Sequence, residues 1–377
     1  MKIAYINLVY SKDNMIGVEN KIIEEAKFFS KHGIDVYFLN RKRDGYEENV
    51  YFKRVDNYHD EKFFELYFRA FTFKVIENIV DLDAYDKIYL RYPLMDLSAL
   101  SYAKRYGHKT ITQHHGKELQ EIKTYKIKLP FKIFQFINER FIAPYFFKHI
   151  YGLTAISDDL VSYEVKRVNF KGKVKRFSNG INPIQFTMTC PPALDKEFNL
   201  IMLSSSFSAW HGLDRLLKSL EAFHSDKIKI NLYIVGKITS EFDTLLASCE
   251  ENTSIKIHLL GKLHKEELDR VFEKAHIACD SLAMYRLDMH EGSTLKSKEY
   301  IARGIPFLYS APDHDLLSLN NYLYDVKNED SLIDFYKILK FYKKLDIVNM
   351  QKEMQKTTID ILSWDKKIEN LKEGIFC

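Results

Sequence analysis

Two carboxylates eight positions apart, Glu291 and Glu299, bracket the stretch with the most chemistry in it, Asp288 to Pro306, DMHEGSTLKSKEYIARGIP. Gly292 frees the backbone, Ser293 or Thr294 can cap a helix, and Gly304 with Pro306 stops it before the apolar Phe307-Leu308-Tyr309. A helix N-terminus offers unpaired N–H groups and the positive end of a dipole, which suits a phosphate. Glu299 lies roughly 9 Å further along, about the distance from a nucleotide's phosphates to its ribose. A carboxylate there can accept hydrogen bonds from both hydroxyls of a cis-diol. Glu291, just before the cap, would meet whatever hangs from the far phosphate. The same residues also fit a solvated helix face with Lys296 and Glu299 paired at i, i+3, worth about a few tenths of a kcal/mol.

The E-x7-E spacing and the run LKSKEYIARGIPFL resemble the corresponding segment of the retaining family-4 glycosyltransferases of the GT-B fold. The resemblance covers nearly the whole chain. After the strand-like HKTITQHHG, His115 followed by Gly116 matches the family's histidine that lines the donor-sugar pocket, with Glu118 as a neighbour. Ser157 and the turn Asn179-Gly180-Ile181-Asn182 match the end of its first domain, and Gly17 matches the loop after its first strand, where two adjacent glycines are usual. The family also places an arginine or lysine in the loop after the first strand of the second domain. Here that loop, SSSFSAWHG from Ser204 to Gly212, has neither. Ser206 and His211 remain as phosphate donors, His211 with a possible charge, and Arg286 and Lys296 are the candidates for the missing cation. Trp210 can stack on a base or an acceptor sugar.

The resemblance implies a nucleotide diphosphate sugar as donor substrate, no cofactor and no metal, and a glycan or lipid-linked acceptor in envelope polysaccharide synthesis of the capsule or lipopolysaccharide type. It implies retention by front-face displacement, with Glu299 on the ribose, Glu291 on the donor sugar and His115 on the sugar's other edge. Two rivals remain: a nucleotide-sugar 2-epimerase, which uses the same two-domain plan, and a non-catalytic subunit that binds a partner transferase, suggested by the loop without a cation and the single Gly17.

The elements that must position these residues alternate in type. KIAYINLV, a helix from Val18 to Lys31 after a turn containing Gly17, and IDVYFLN open a parallel sheet, and KIYLRYP and HKTITQHHG extend it. From Glu197 the alternation restarts with FNLIML, KINLYIVG, SIKIHLLG and HIACDSL separated by helical segments. The fold class is α/β, with two doubly wound Rossmann-like domains facing each other across a cleft. The expected division is 1–185 as the acceptor-side domain, 197–355 as the nucleotide-sugar domain, and 356–377 as a helix crossing back.

A chain of 377 residues, 46% apolar and 14% aromatic, carries no compositional sign of disorder and is long enough for two cores. The formal charge of +4 gives no case for nucleic acid. Cys190, Cys249, Cys279 and Cys377 have neither metal-ligand nor disulfide-framework spacing, and Asp81-Leu82-Asp83 reads as a polar cap. With no leader-like or spanning segment, a cytoplasmic protein is expected. The segment Lys123 to Lys148 mixes Lys123, Lys126, Lys128 and Lys132 with Tyr125, Phe131, Phe134, Phe136, Phe141, Tyr145, Phe146 and Phe147. Basic residues beside aromatics suit a peripheral helix on an anionic membrane surface, while a core helix with lysines toward water fits the same composition.

Overall fold

The computed structural model describes residues 1–8, 16–39, 53–54, 70–124 and 129–377. The polar turn read before Gly17, and Tyr125, Lys126 and Lys128, lie outside the described residues. The chain divides into two compact units, Met1–Ser178 with Trp364–Cys377, and Asn179–Ser363.

The first unit is built on seven parallel strands: β1 (Ile3–Leu8), β2 (Asp35–Leu39), β3 (Lys53–Arg54), β4 (Lys87–Arg91), β5 (Thr110–His114), β6 (Gly152–Ala155) and β7 (Lys173–Arg176). Their order is β3-β2-β1-β4-β5-β6-β7. Side chains of β1 and β4 alternate between two cores, which is why those two strands read as largely apolar runs. Ile6 and Leu90 face Phe73, Tyr102 and Phe146. Tyr5 and Tyr89 face Phe29 of the helix Ile16–Lys31 and Trp364, Ile368 and Phe376 of the chain's end.

In the second unit β8 (Glu197–Ser206), β9 (Lys229–Lys237), β10 (Ile255–Gly261), β11 (Ile277–Cys279), β12 (Phe307–Tyr309) and β13 (Tyr324–Asp325) form a parallel sheet ordered β10-β9-β8-β11-β12-β13. The strand order reverses beside β1 in the first sheet and beside β8 in the second. Ligands of open α/β sheets collect at such switch points, above the carboxyl ends of the strands.

Two readings change here. Gly17 stands in the first turn of the helix Ile16–Lys31 rather than in the preceding loop, a position whose N–H lacks an intrahelical acceptor in any helix. The helix Leu129–Phe147 fits neither version of its segment cleanly: Gln135, Asn138 and Glu139 are buried, whereas Phe131, Ile133, Phe134, Phe136, Ile137 and Phe141 are exposed. Only its last turns, with Ile142, Phe146 and Phe147, enter the core. Among the described residues no helix is long and apolar enough to cross a membrane.

Candidate functional site

The second unit's switch point gathers most of the residues singled out. The helix Leu295–Ala302 begins there, and its cap is Thr294 rather than Ser293. Thr294 Oγ1 accepts the Ser297 N–H at 3.0 Å and donates to the Asp280 carboxylate at 2.8 and 2.9 Å, so the acid just past β11 fixes the cap. Ser293 instead accepts the Asn179 N–H at 3.3 Å, tying this loop to the turn that opens the unit. Glu291 is half-buried one residue before Gly292, whose N–H donates to the Pro312 carbonyl at 3.0 Å.

Lys296 projects back over the same acid, 3.5 Å from Asp280 Oδ1 and 3.2 Å from Ser281 Oγ, with Trp210's ring centroid 5.7 Å away. Burial lowers its pKa and Asp280 opposes the shift. Glu299 accepts the Arg303 Nε–H at 2.8 Å, and Arg303 also holds Asp269 at 2.6 Å above the Phe272 ring. Burial raises the Glu299 pKa against the pull of Arg303. On the helix's other side, Lys298 is fully buried between Asp313 at 2.6 Å and Asp315 at 3.2 Å. These pairs leave the helix little freedom to tilt.

The loop from Ser204 to Gly212 is equally fixed. Gly212 has φ +73°, and a Cβ on it would lie 3.0 Å from the Leu282 backbone. Gly236 lets β9 pass so close that a Cβ would sit 1.6 Å from the Ser204 carbonyl oxygen. Ser206, exposed at the end of β8, accepts the Ser204 hydroxyl at 2.7 Å. His211 corrects one expectation. Its Nδ1 accepts the Ser208 N–H at 2.9 Å, leaving the proton on Nε2, 3.1 Å from Ser204 Oγ. Burial, with Lys296 adding to it, pushes its pKa down to about 2, so it is a neutral donor and brings no charge. Arg286 brings little either: it spans Asp214 at 2.7 and 2.9 Å and reaches Asp330 at 3.2 Å. Its charge is spent on anchoring the 3-10 turn Met284–Leu287 to the helix Leu213–Glu221.

In the first unit His115 follows β5 and is half-buried. Its Nδ1 lies 3.3 Å from Lys21 Nζ and its Nε2 2.9 Å from Arg91 Nη1. Burial, then Arg91 and Lys21, hold its pKa well below the usual histidine range. It is therefore neutral near pH 7. Its neighbour His114 points to the other face, into a buried acidic cluster. His114 Nδ1 is 2.8 Å from Glu118 Oε1 and 3.9 Å from Glu164 Oε2, and Arg167 bridges Glu164 and Glu139, each at 2.9 Å. Burial lifts Glu118 to about 7 and Glu164 to about 8, and lowers His114 to about 4. Ligand atoms of His114, Glu118 and Glu164 lie within 4.8 Å of one another, close enough to surround a cation, although Arg167 already occupies the edge of the group.

Four partners escape the sequence. Asp280 lies at a strand end, a place where an acid can face a ligand, and Arg303 follows Glu299 at the helical i+4 spacing, so both leave a local signal. Lys21 and Arg91 leave none, being brought to His115 from a helix and a strand far along the chain.

Residues 190–342 match the family model described as glycosyl transferases group 1. No curated protein matches the chain significantly. Among solved structures it is similar to a glycosyltransferase from Rickettsia africae, at 16% identity and TM-score 0.66 over 99% of this chain and 97% of that one. Sucrose-phosphate synthase from Thermosynechococcus elongatus gives 13% and 0.63 over 99% and 97%. The Anabaena protein HepE, solved in complex with UDP, gives 12% and 0.62 over 99% of each chain. With the two parallel sheets and their helices, these likenesses show an α/β chain of the GT-B fold.

Proposed function

We propose that this protein is a retaining glycosyltransferase that moves a sugar from a nucleotide diphosphate sugar to a glycan or lipid-linked acceptor in envelope polysaccharide synthesis. One observation carries the reading. The Thr294-capped helix starts beside the carboxyl end of β11, between two glutamates spaced for a sugar and a ribose, inside the stretch that matches group 1 glycosyl transferases. The UDP held by the Anabaena relative supports a nucleotide donor. In this reading the leaving diphosphate meets the helix N-terminus and Lys296, Glu299 receives the ribose hydroxyls, and Glu291 and His115 hold the donor sugar. Neutral His115 and His211 serve as hydrogen-bond partners and not as charges.

Turnover of a panel of nucleotide sugars with and without acceptor glycans tests it. Acceptor-dependent release of nucleotide is the expected result. Donor conversion with no acceptor present would mean an epimerase, and failure to bind either UDP or GDP would mean a partner subunit.

The exposed apolar face of the helix Leu129–Phe147, preceded by Lys123, Lys126 and Lys128, supports a peripheral site on an anionic membrane, where a lipid-linked acceptor would be found. Each lysine near such a surface contributes about 1 kcal/mol. Replacing Lys123, Lys126, Lys128 and Lys132 by glutamine should release the protein from anionic vesicles. A wild type that ignores such vesicles at low salt would remove the membrane from the account.

A further inference from the structure

We propose that the carboxyl end of the first sheet is an oxyanion site, in which Lys21, Arg91 and Asn7 around His115 receive a phosphate or diphosphate group. Lys21 comes from the helix Ile16–Lys31 and Arg91 from the end of β4, and both converge on one imidazole at 3.3 and 2.9 Å. Ammonium and guanidinium groups only donate, and a neutral imidazole has a single lone pair, so one of the two cations lacks an acceptor at any moment. Among the described residues no carboxylate makes an ion pair with either. Glu25, the acid whose charge acts on Lys21, takes the Gln113 amide at 3.2 Å through Oε1, and among the described residues its buried Oε2 has no hydrogen-bond partner. Two cations against one carboxylate leave a surplus positive charge.

Asn7 gives the independent sign of a ligand. Its side chain is fully buried, and among the described residues neither the amide nitrogen nor the amide oxygen has a hydrogen-bond partner. Ile6 pairs with Leu90, so the next positions, Asn7 and Arg91, stand side by side, on the face that carries Tyr5 and Tyr89 and that the helix Ile16–Lys31 covers. A buried amide left unpaired is costly, and a phosphate oxygen is the acceptor its N–H groups lack. Charge-assisted bonds from a guanidinium and an ammonium are the usual means of holding such a group. The site shares only His115 with the proposed function.

Calorimetric titration of the full chain with inorganic phosphate and pyrophosphate tests the inference, on the wild type, Arg91→Gln and Lys21→Met, with circular-dichroism melts to confirm folding. One-to-one saturation by pyrophosphate is expected, weakened roughly tenfold or more in each folded variant. No saturation of the wild type, or equal affinity in folded Arg91→Gln, overturns the site. A parallel loss of UDP affinity in the variants would assign it to the donor's diphosphate. Unchanged UDP affinity with a raised KM for a phosphate-bearing acceptor would assign it to the acceptor. Both outcomes support the oxyanion site. Pyrophosphate binding that depends on Arg91, in a protein without transferase activity, would uphold the site and reject the proposed function.

Discussion

The surroundings of Thr294 in the second unit and of β5 in the first treat charge in opposite ways. Around Thr294 each cation has its own acid: Lys296 has Asp280, Lys298 has Asp313 and Asp315, Arg303 has Glu299 and Asp269, and Arg286 has Asp214 and Asp330. In the first unit, two buried glutamates, Glu139 and Glu164, share the Arg167 guanidinium while a third, Glu118, leans on His114, and two cations share one imidazole at the end of β5. Paired charges fix geometry and respond weakly to pH. Unbalanced buried charges respond to protons and to ligands. The contrast therefore separates a rigid cradle from a responsive sheet edge.

Breaking a pair in the cradle should give the largest effect. Lys298→Met leaves Asp313 and Asp315 nearly buried without their cation, and denaturant unfolding should show a loss of about 3–5 kcal/mol. A loss under about 1 kcal/mol would mean that the pairing does not hold this helix.

Next come the two residues proposed for the donor sugar. Glu291→Ala and His115→Ala should each lower turnover by roughly a hundredfold or more while leaving affinity for free nucleotide nearly unchanged, since both act at the reacting centre. Steady-state kinetics beside calorimetry checks this, and near-normal turnover in either variant removes that residue from the site.

The responsive edge should reveal itself in stability against pH. Glu164 is pushed up to about 8 when folded from its ordinary 4.5, because burial disfavours its charge. Its stabilising contribution is complete below the unfolded value and is lost as pH rises through 8. His114 has the opposite sign: lowered to about 4 from 6.5, it costs stability as pH falls through that interval, and is neutral in both states above it. Between pH 6.5 and 8 the carboxyl groups therefore act alone, and the wild type should lose about 2 kcal/mol. Glu164→Gln should flatten that slope. A flat wild-type profile would mean that the cluster is balanced after all.

Much of this was legible in the sequence and some could not be. The alternation of apolar runs and helical segments gave both sheets because strands buried on two faces cannot hide. The helix start at Asp288 to Pro306 was legible because caps and stops are local. The choice of Thr294 over Ser293 was not, since it is made by Asp280 and Asn179 from elsewhere. Arg286 looked like a phosphate ligand only while Asp214, far along the chain, was out of view. The helix Leu129–Phe147 shows the reverse failure: composition alone cannot say which face turns inward, and Glu139 is drawn into the core by Arg167, Tyr92 and the Met95 N–H.

The central claim is that the second unit binds a nucleotide through the helix that Thr294 caps, with Glu299 on the ribose. Calorimetry with UDP and GDP on the wild type and Glu299→Gln tests it most directly. Exchanging a carboxylate oxygen for an amide removes an acceptor worth on the order of 1 kcal/mol, so affinity for the preferred nucleotide should fall several-fold while the fold remains intact. Unchanged affinity in the variant, or no binding of either nucleotide by the wild type, would contradict the account.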